Sequence, residues 1–383
     1  MLPFPIVSNT NQILPRSIKK IEASTEAAFI LFESGNLYAF GVNTLQQFGT
    51  GTTSGSTYKN WTLINTSVLD VYAGVDSVIV QLSSGVWQYA GNTKTAGTGT
   101  SDVGVGNWTV LPGMQYFVNN GLTPKKIQIG GTNIAVLCTN DTLYQMGYNS
   151  TGVFGTGSAT NSTTFVVSRT NVSNFVCGHL TALCTDKTSG ILYKAGWNNN
   201  AQLGAPTSTQ TFPSWTSVGV TPTAFFASRY STSYITTAGT IFSTGARVYG
   251  QIPGATSASD ATLITSYTSL GTGLPAGSLA SYTAINHTKT WATWLNTLVG
   301  LYCTGRNDSG QLGIGNTTFT SQYVRVPLPS DIQPSEIESW QMSIYFSLML
   351  KNDGRTLYVA GSGTYFPQYT GIQSSFVKLT LPE

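Results

Sequence analysis

One short phrase recurs seven times along the chain, and it limits the fold more than any other feature. Its fullest copy is LYCTGRNDSGQLGIGN at 301–316. The opening returns as LYAFGVN (37–43), VWQYAGN (86–92), LYQMGYN (143–149), LYKAGWN (192–198), IFSTGAR (241–247) and LYVAGSG (357–363). The anchoring glycines are Gly41, Gly91, Gly147, Gly196, Gly245, Gly305 and Gly361. They lie roughly 50 to 60 residues apart, the period of a propeller or an array of repeats. A unit of that size cannot bury its apolar face alone, so the copies must pack against one another. A repeat along nearly the whole chain overrides the division into separate domains that its length would otherwise suggest.

Each unit carries four strand-like pieces. The first is short and apolar and ends in small residues: IKKIEAS (18–24), VLDVYAG (68–74), PKKIQIG (124–130), VSNFVCG (172–178), PTAFFAS (222–228), ASYTAIN (280–286) and EIESWQM (336–342). Small residues suit a strand near a crowded axis. The second alternates and runs into a Gly, Asn or Asp turn, as in AAFILFESG (27–35) and FSLMLKNDG (346–354), which signals a hairpin. The third is the recurring phrase. A polar loop then leads to an outer strand, such as NWTLI (60–64), NWTVL (107–111) or SFVKLTL (375–381). Four short strands repeated around a ring leave few exposed sheet edges. No long stretch shows a capped 3.6-residue apolar period, so almost no helix is expected. The expected fold is all-β, a seven-bladed β-propeller of four-stranded blades over 18–383. Residues 1–17 form a surplus N-terminal segment. Its PFPIV (3–7) either closes the ring on the last blade or attaches to a partner's sheet.

The order of a strand ending in a small residue and Gly, a strand closing on a turn, LYxxGxN and then GQLGxG resembles the regulator of chromosome condensation family. The best copies are 301–315, 192–204 and 37–51. The resemblance implies a seven-bladed propeller. The family's His after the inner-strand Gly is absent from most units, and His179 and His287 are the only histidines in the chain. A charged rim and basic tails, which nucleosome or small-GTPase binding would require, are also absent. A fold does not by itself fix a function.

Chemistry-bearing sets are scarce. With 9% charged residues and a net charge of +3, the sequence has no basic stripe, and no nucleic-acid partner is expected. No window is long and apolar enough to insert in a membrane. The start lacks a basic, apolar leader, so no export signal is expected. Cys138, Cys177, Cys184 and Cys303 sit in apolar strand patterns without metal spacing and read as buried thiols. His179 reads as a hydrogen-bonded turn histidine rather than a general base. Asp76, Asp141, Asp186 and Asp353 fall at turns, where Asp bonds its own backbone. The Gly-rich stretches near 98–101 and at 155–158 lack the Lys and the following helix of a phosphate loop. No cofactor, metal or catalytic set is expected. A carboxylate pair formed across blades would be invisible in sequence.

The informative segments are the uncharged loops rich in Ser, Thr, Asn, Gly and aromatics. Aromatics on rigidly held loops give contact area at low entropy cost. Trp61, Trp108 and Trp215, in NWT and SWT, read as packing between blades. Tyr58, Trp197, Tyr249, Tyr365, Phe366 and Tyr369 are the candidate binding residues. Low charge, polar β repeats and the missing leader together suggest a non-catalytic bacteriophage virion protein, a tail-fibre, baseplate or decoration component. Its expected partners are other virion proteins and a host cell-surface glycan or outer-membrane protein. The alternatives are a polysaccharide-acting phage enzyme, or a propeller-type inhibitor or regulator of a partner protein.

Overall fold

The structure is a computed structural model that describes residues 17–52, 54–270, 273–275, 282–287, 292–297 and 299–382, the side chains of 282–287 and of Pro112 excepted. The PFPIV segment, and with it the question of ring closure or partner attachment by residues 1–16, lies outside the described residues.

The seven repeats form seven four-stranded antiparallel sheets, each built from one contiguous stretch with its strands in sequence order. The blades span 18–65, 68–110, 124–169, 172–217, 224–269, 282–325 and 337–379. The inner strands are Ile18–Ala23, Val68–Ala73, Pro124–Ile129, Val172–Cys177, Ala224–Ala227, Tyr282–His287 and Ile337–Met342. They meet the sequence-based assignment to within a few residues. The second strand of blade 1, Ala27–Phe32, is buried along its whole length because a neighbouring blade covers each of its faces. Among the described residues the one α-helix is Gln115–Asn119, between blades 2 and 3. Its Phe117 is buried against Tyr144 and Phe165 at 5.5 and 4.6 Å between ring centroids.

The recurring glycine has a specific task. In all six repeats whose residue before strand two is among the described residues, the residue after the glycine donates its N–H to the carbonyl of that residue. Val42 donates to Glu26 at 3.0 Å, Trp197 to Leu180 at 2.9 Å and Ser362 to Tyr345 at 3.0 Å. A Cβ on Gly41, Gly196 or Gly361 would lie 2.4, 2.3 or 2.3 Å from that same carbonyl oxygen. All seven repeat glycines have φ between 104° and 133°, where a side chain is strained. At all seven of them the pairing of strands three and four also shifts register, so the glycine marks a β-bulge.

The ring closes with the contacts used elsewhere around it. Thr25 N–H donates to Val75 O at 3.0 Å between blades 1 and 2, and Gly131 N–H to His179 O at 2.6 Å between blades 3 and 4. Ile344 N–H donates to Thr25 O at 2.7 Å and joins blade 7 to blade 1 in the same way. At that junction Phe40 meets Phe346 at 5.4 Å, and the Trp61 indole donates to Thr380 O at 3.1 Å. Blade 7 thus packs on blade 1 with each sheet keeping its own four strands.

Candidate functional site

Antiparallel order within each blade sorts the connections onto two faces. The turns joining strands one and two share one face with the long loops joining strands three and four. The strand two-to-three hairpins and the blade-to-blade connections lie on the other. The long loops are held by the Asn of the repeated phrase. Asn307 is fully buried, and its Oδ1 accepts the N–H of Leu312 at 2.9 Å. Its Nδ2 donates to Asn316 O and Thr318 O at 2.9 and 3.0 Å. Asn43, Asn149 and Asn198 accept the N–H five residues on at 2.8 to 2.9 Å, and donate across their own loops. Each such loop is closed by one carboxamide.

On this face half-buried aromatic rings meet charged side chains at several blade junctions. Between blades 4 and 5, Trp197 lies 6.4 Å from Tyr230, and the Arg229 guanidinium stands 5.3 Å from the Tyr230 ring. Between blades 5 and 6, Arg306 sits 5.0 Å from the Tyr249 ring and pairs with Asp308 at 2.7 Å. Tyr249 holds φ 58°, a left-handed conformation that bulky residues rarely adopt. At the junction of blades 7 and 1, Tyr345 and Tyr365 stack at 4.0 Å, and the Tyr345 hydroxyl donates to Glu26 at 3.3 Å. The Thr44 hydroxyl donates to the other Glu26 oxygen. Between blades 2 and 3, Lys94 stands 5.4 Å from the Tyr148 ring and pairs with Asp102 at 2.9 Å.

His179 joins the same face. Its Nδ1 is buried without a hydrogen-bond partner among the described residues. Burial pulls its pKa down to about 4, with Arg229 adding to the fall and Asp102 opposing it. The imidazole is therefore neutral at pH 7. Asp186 and Asp353 do bond their own turns, whereas Asp141 holds Lys125 and Lys187. All four cysteines are buried free thiols.

The six aromatic candidates divide. Trp197, Tyr249 and Tyr365 lie on the loop face with part of each ring open to solvent. Phe366 is fully buried against Phe346 at 6.0 Å and belongs to the core, because a Phe in a closely packed loop serves as its anchor. Tyr58 lies inside the outer strand Ser56–Asn65 rather than in a loop, and its ring packs on Phe48 at 5.1 Å. Tyr369 is tied back by its hydroxyl, which donates to Lys378 O at 2.9 Å. Trp61, Trp108 and Trp215 each reach the preceding blade, where their indoles donate to Thr380 O, Ile64 O and Ser168 Oγ. Sequence reasoning missed Tyr148, Tyr230 and Tyr345 and the charges beside them. Glu26, Tyr230 and Tyr345 occupy one register position, immediately before strand two, and aligning the repeats on that position would have found them.

Three solved structures share this architecture. Prp20p of Saccharomyces cerevisiae superposes with a TM-score of 0.71 at 14% identity, covering 96% of this chain and 88% of Prp20p. Yeast RCC1 (Prp20) bound to Kap60 gives 0.72 at 13% identity over 96% and 85% of the two chains. Human WBSCR16 gives 0.70 at 15% identity over 88% and 87%. No protein-family profile matches the sequence. The fold is thus an RCC1-like seven-bladed propeller at low identity.

Proposed function

We propose that the chain is a non-catalytic binding protein of a bacteriophage particle, a tail-fibre, baseplate or decoration component. Its loop face takes a host cell-surface glycan or outer-membrane protein, or a neighbouring virion protein. The observation that carries this reading is the set of half-buried rings and charges at Trp197–Tyr230, Tyr249–Arg306 and Tyr345–Tyr365–Glu26, standing on Asn-closed loops. Aromatics beside guanidinium and carboxylate groups suit both sugar stacking and protein contact, and rigid loops lower the ordering cost of binding. The virion assignment rests on composition: a charged fraction of 9% with polar β repeats. Prp20p, whose structure was described with its binding to Gsp1p and histones, is a protein of the same fold that binds partners, which supports the binding reading.

Two measurements test the reading. Mass spectrometry of purified particles should find the chain as a stoichiometric component, and the labelled protein should adsorb saturably to host cells or to a purified virion protein. Absence from particles together with absence of any adsorption would refute it. Shortened chains after incubation with capsule or lipopolysaccharide would replace it with the enzyme reading.

A further inference from the structure

The inner strands of blades 1, 2, 3, 4 and 7 line a cavity of about 230 Å3 at the centre of the ring. A single water needs only about 10–15 Å3 by the same measure. Two lysines line it from equivalent places, the third residues of the inner strands of blades 1 and 3. Lys20 is neutralised: its Nζ lies 2.9 Å from Asp70 and 3.3 Å from Glu22. The second oxygen of Asp70 accepts the Tyr72 hydroxyl at 2.7 Å.

Lys126 is held differently. Its Nζ donates to two neutral oxygens, Asn174 Oδ1 at 2.8 Å and Phe175 O at 2.7 Å. No carboxylate stands within ion-pair distance of it among the described residues. An ammonium carries three donors, so one remains. Partial burial pulls the amine down to about 8, as expected of a half-buried cation that lacks a counter-charge. Gln128 and Gln341 line the same cavity. The Gln128 oxygen is taken by the Cys177 N–H at 3.0 Å, which leaves its amide nitrogen as a donor.

The geometry points to an oxyanion site: the axial cavity holds one small carboxylate or phosphate against the Lys126 ammonium, with the Gln128 and Gln341 amides as further donors. The anion supplies the charge that the protein withholds from Lys126 and would pin the inner strands of blades 3 and 7 to one ligand. This site is separate from the loop face and stands or falls without it.

Calorimetric titration of the full chain with inorganic phosphate, and separately with acetate, at constant ionic strength in chloride provides the test. We expect saturable one-site binding of at least one of the two anions, and the two arms tell which headgroup chemistry the cavity takes. Lys126→Met should abolish it and Gln341→Leu should weaken it tenfold or more. Lys125→Met, whose lysine pairs with Asp141 outside the cavity, should leave it unchanged. No saturable heat with either anion, or equal binding by the folded Lys126→Met protein, would overturn the site. If Lys126→Met does not fold, unchanged binding by Gln341→Leu would overturn it.

Discussion

The Trp108 indole fills the space in which a side chain on Gly49 would stand. A Cβ there would come within 2.6 Å of the indole nitrogen. The same indole donates to Ile64 O at 2.9 Å, so one tryptophan of blade 2 covers the end of one blade 1 loop and bonds the outer strand of that blade. The relation repeats with Trp215 over Gly155, Tyr267 over Gly204 and Phe376 over Gly313. In these four repeats the glycine eight residues after the bulge glycine thus receives an aromatic ring from the next blade, which locks those pairs of sheets at their outer ends.

Substitution of Gly49 by Ala should destabilise the ring by about 2 to 4 kcal/mol, since it adds overpacking to a strained positive φ. Gly55 has φ 77° with open space around its Cβ position, so Gly55→Ala carries only the backbone cost of about 1 kcal/mol. Denaturant unfolding of the two variants separates packing from backbone strain. Equal losses would show that the indole contact contributes nothing.

Asn307 offers a test of how the loops are held. Asn307→Ala removes four hydrogen bonds from a fully buried position and leaves loop carbonyls and the Leu312 N–H unpaired, a loss of about 2 to 4 kcal/mol. Asn307→Asp keeps the acceptor and loses the donors, so it should also destabilise the protein. Hydrogen exchange should quicken first at the Leu312 amide. A wild-type exchange rate there would contradict the clamp.

Much of this was legible in the sequence and some was not, for physical reasons. Gly305 is legible as the anchor of its phrase, and its φ of 124° is a backbone conformation that glycine adopts without strain. Blade number and strand order followed from the spacing of the phrase, because alternation and turn chemistry are local. Phe366 was misplaced because a loop aromatic in sequence is not an exposed one, and only the packed ring decides which face of a loop is covered. Tyr230 and Tyr345 were missed because their neighbours come from other blades, more than a hundred residues away in the case of Tyr345 and Glu26. The lone charge on Lys126 was equally hidden: Lys20 and Lys126 look alike in KK pairs, and only the adjoining strand supplies Asp70 to one and Asn174 to the other.

His179 should make stability depend on pH. Its folded pKa, about 4, lies below the ordinary value of 6.5. Between these values the unfolded chain binds a proton that the folded chain does not. The stability contribution is complete above pH 6.5 and is lost as pH falls toward 4. Denaturation midpoints at pH 7.5, 6 and 5 should fall in the native protein and fall less in His179→Gln. Parallel curves for the two proteins would contradict the burial of a neutral imidazole.

The most direct measurement compares the two faces in a single adsorption assay. Trp197→Ala, Tyr249→Ala and Tyr345→Ala alter the loop face. Val86→Asp and Val299→Asp alter hairpin turns on the opposite face, where both valines are exposed. With every protein folded, as judged by its unfolding transition, the loop-face variants should lose at least tenfold in apparent affinity for host cells or for the purified virion partner, and the hairpin-face variants should bind like the native chain. Binding lost through Val86→Asp or Val299→Asp and kept in all three aromatic variants would place recognition on the other side of the ring and contradict the account.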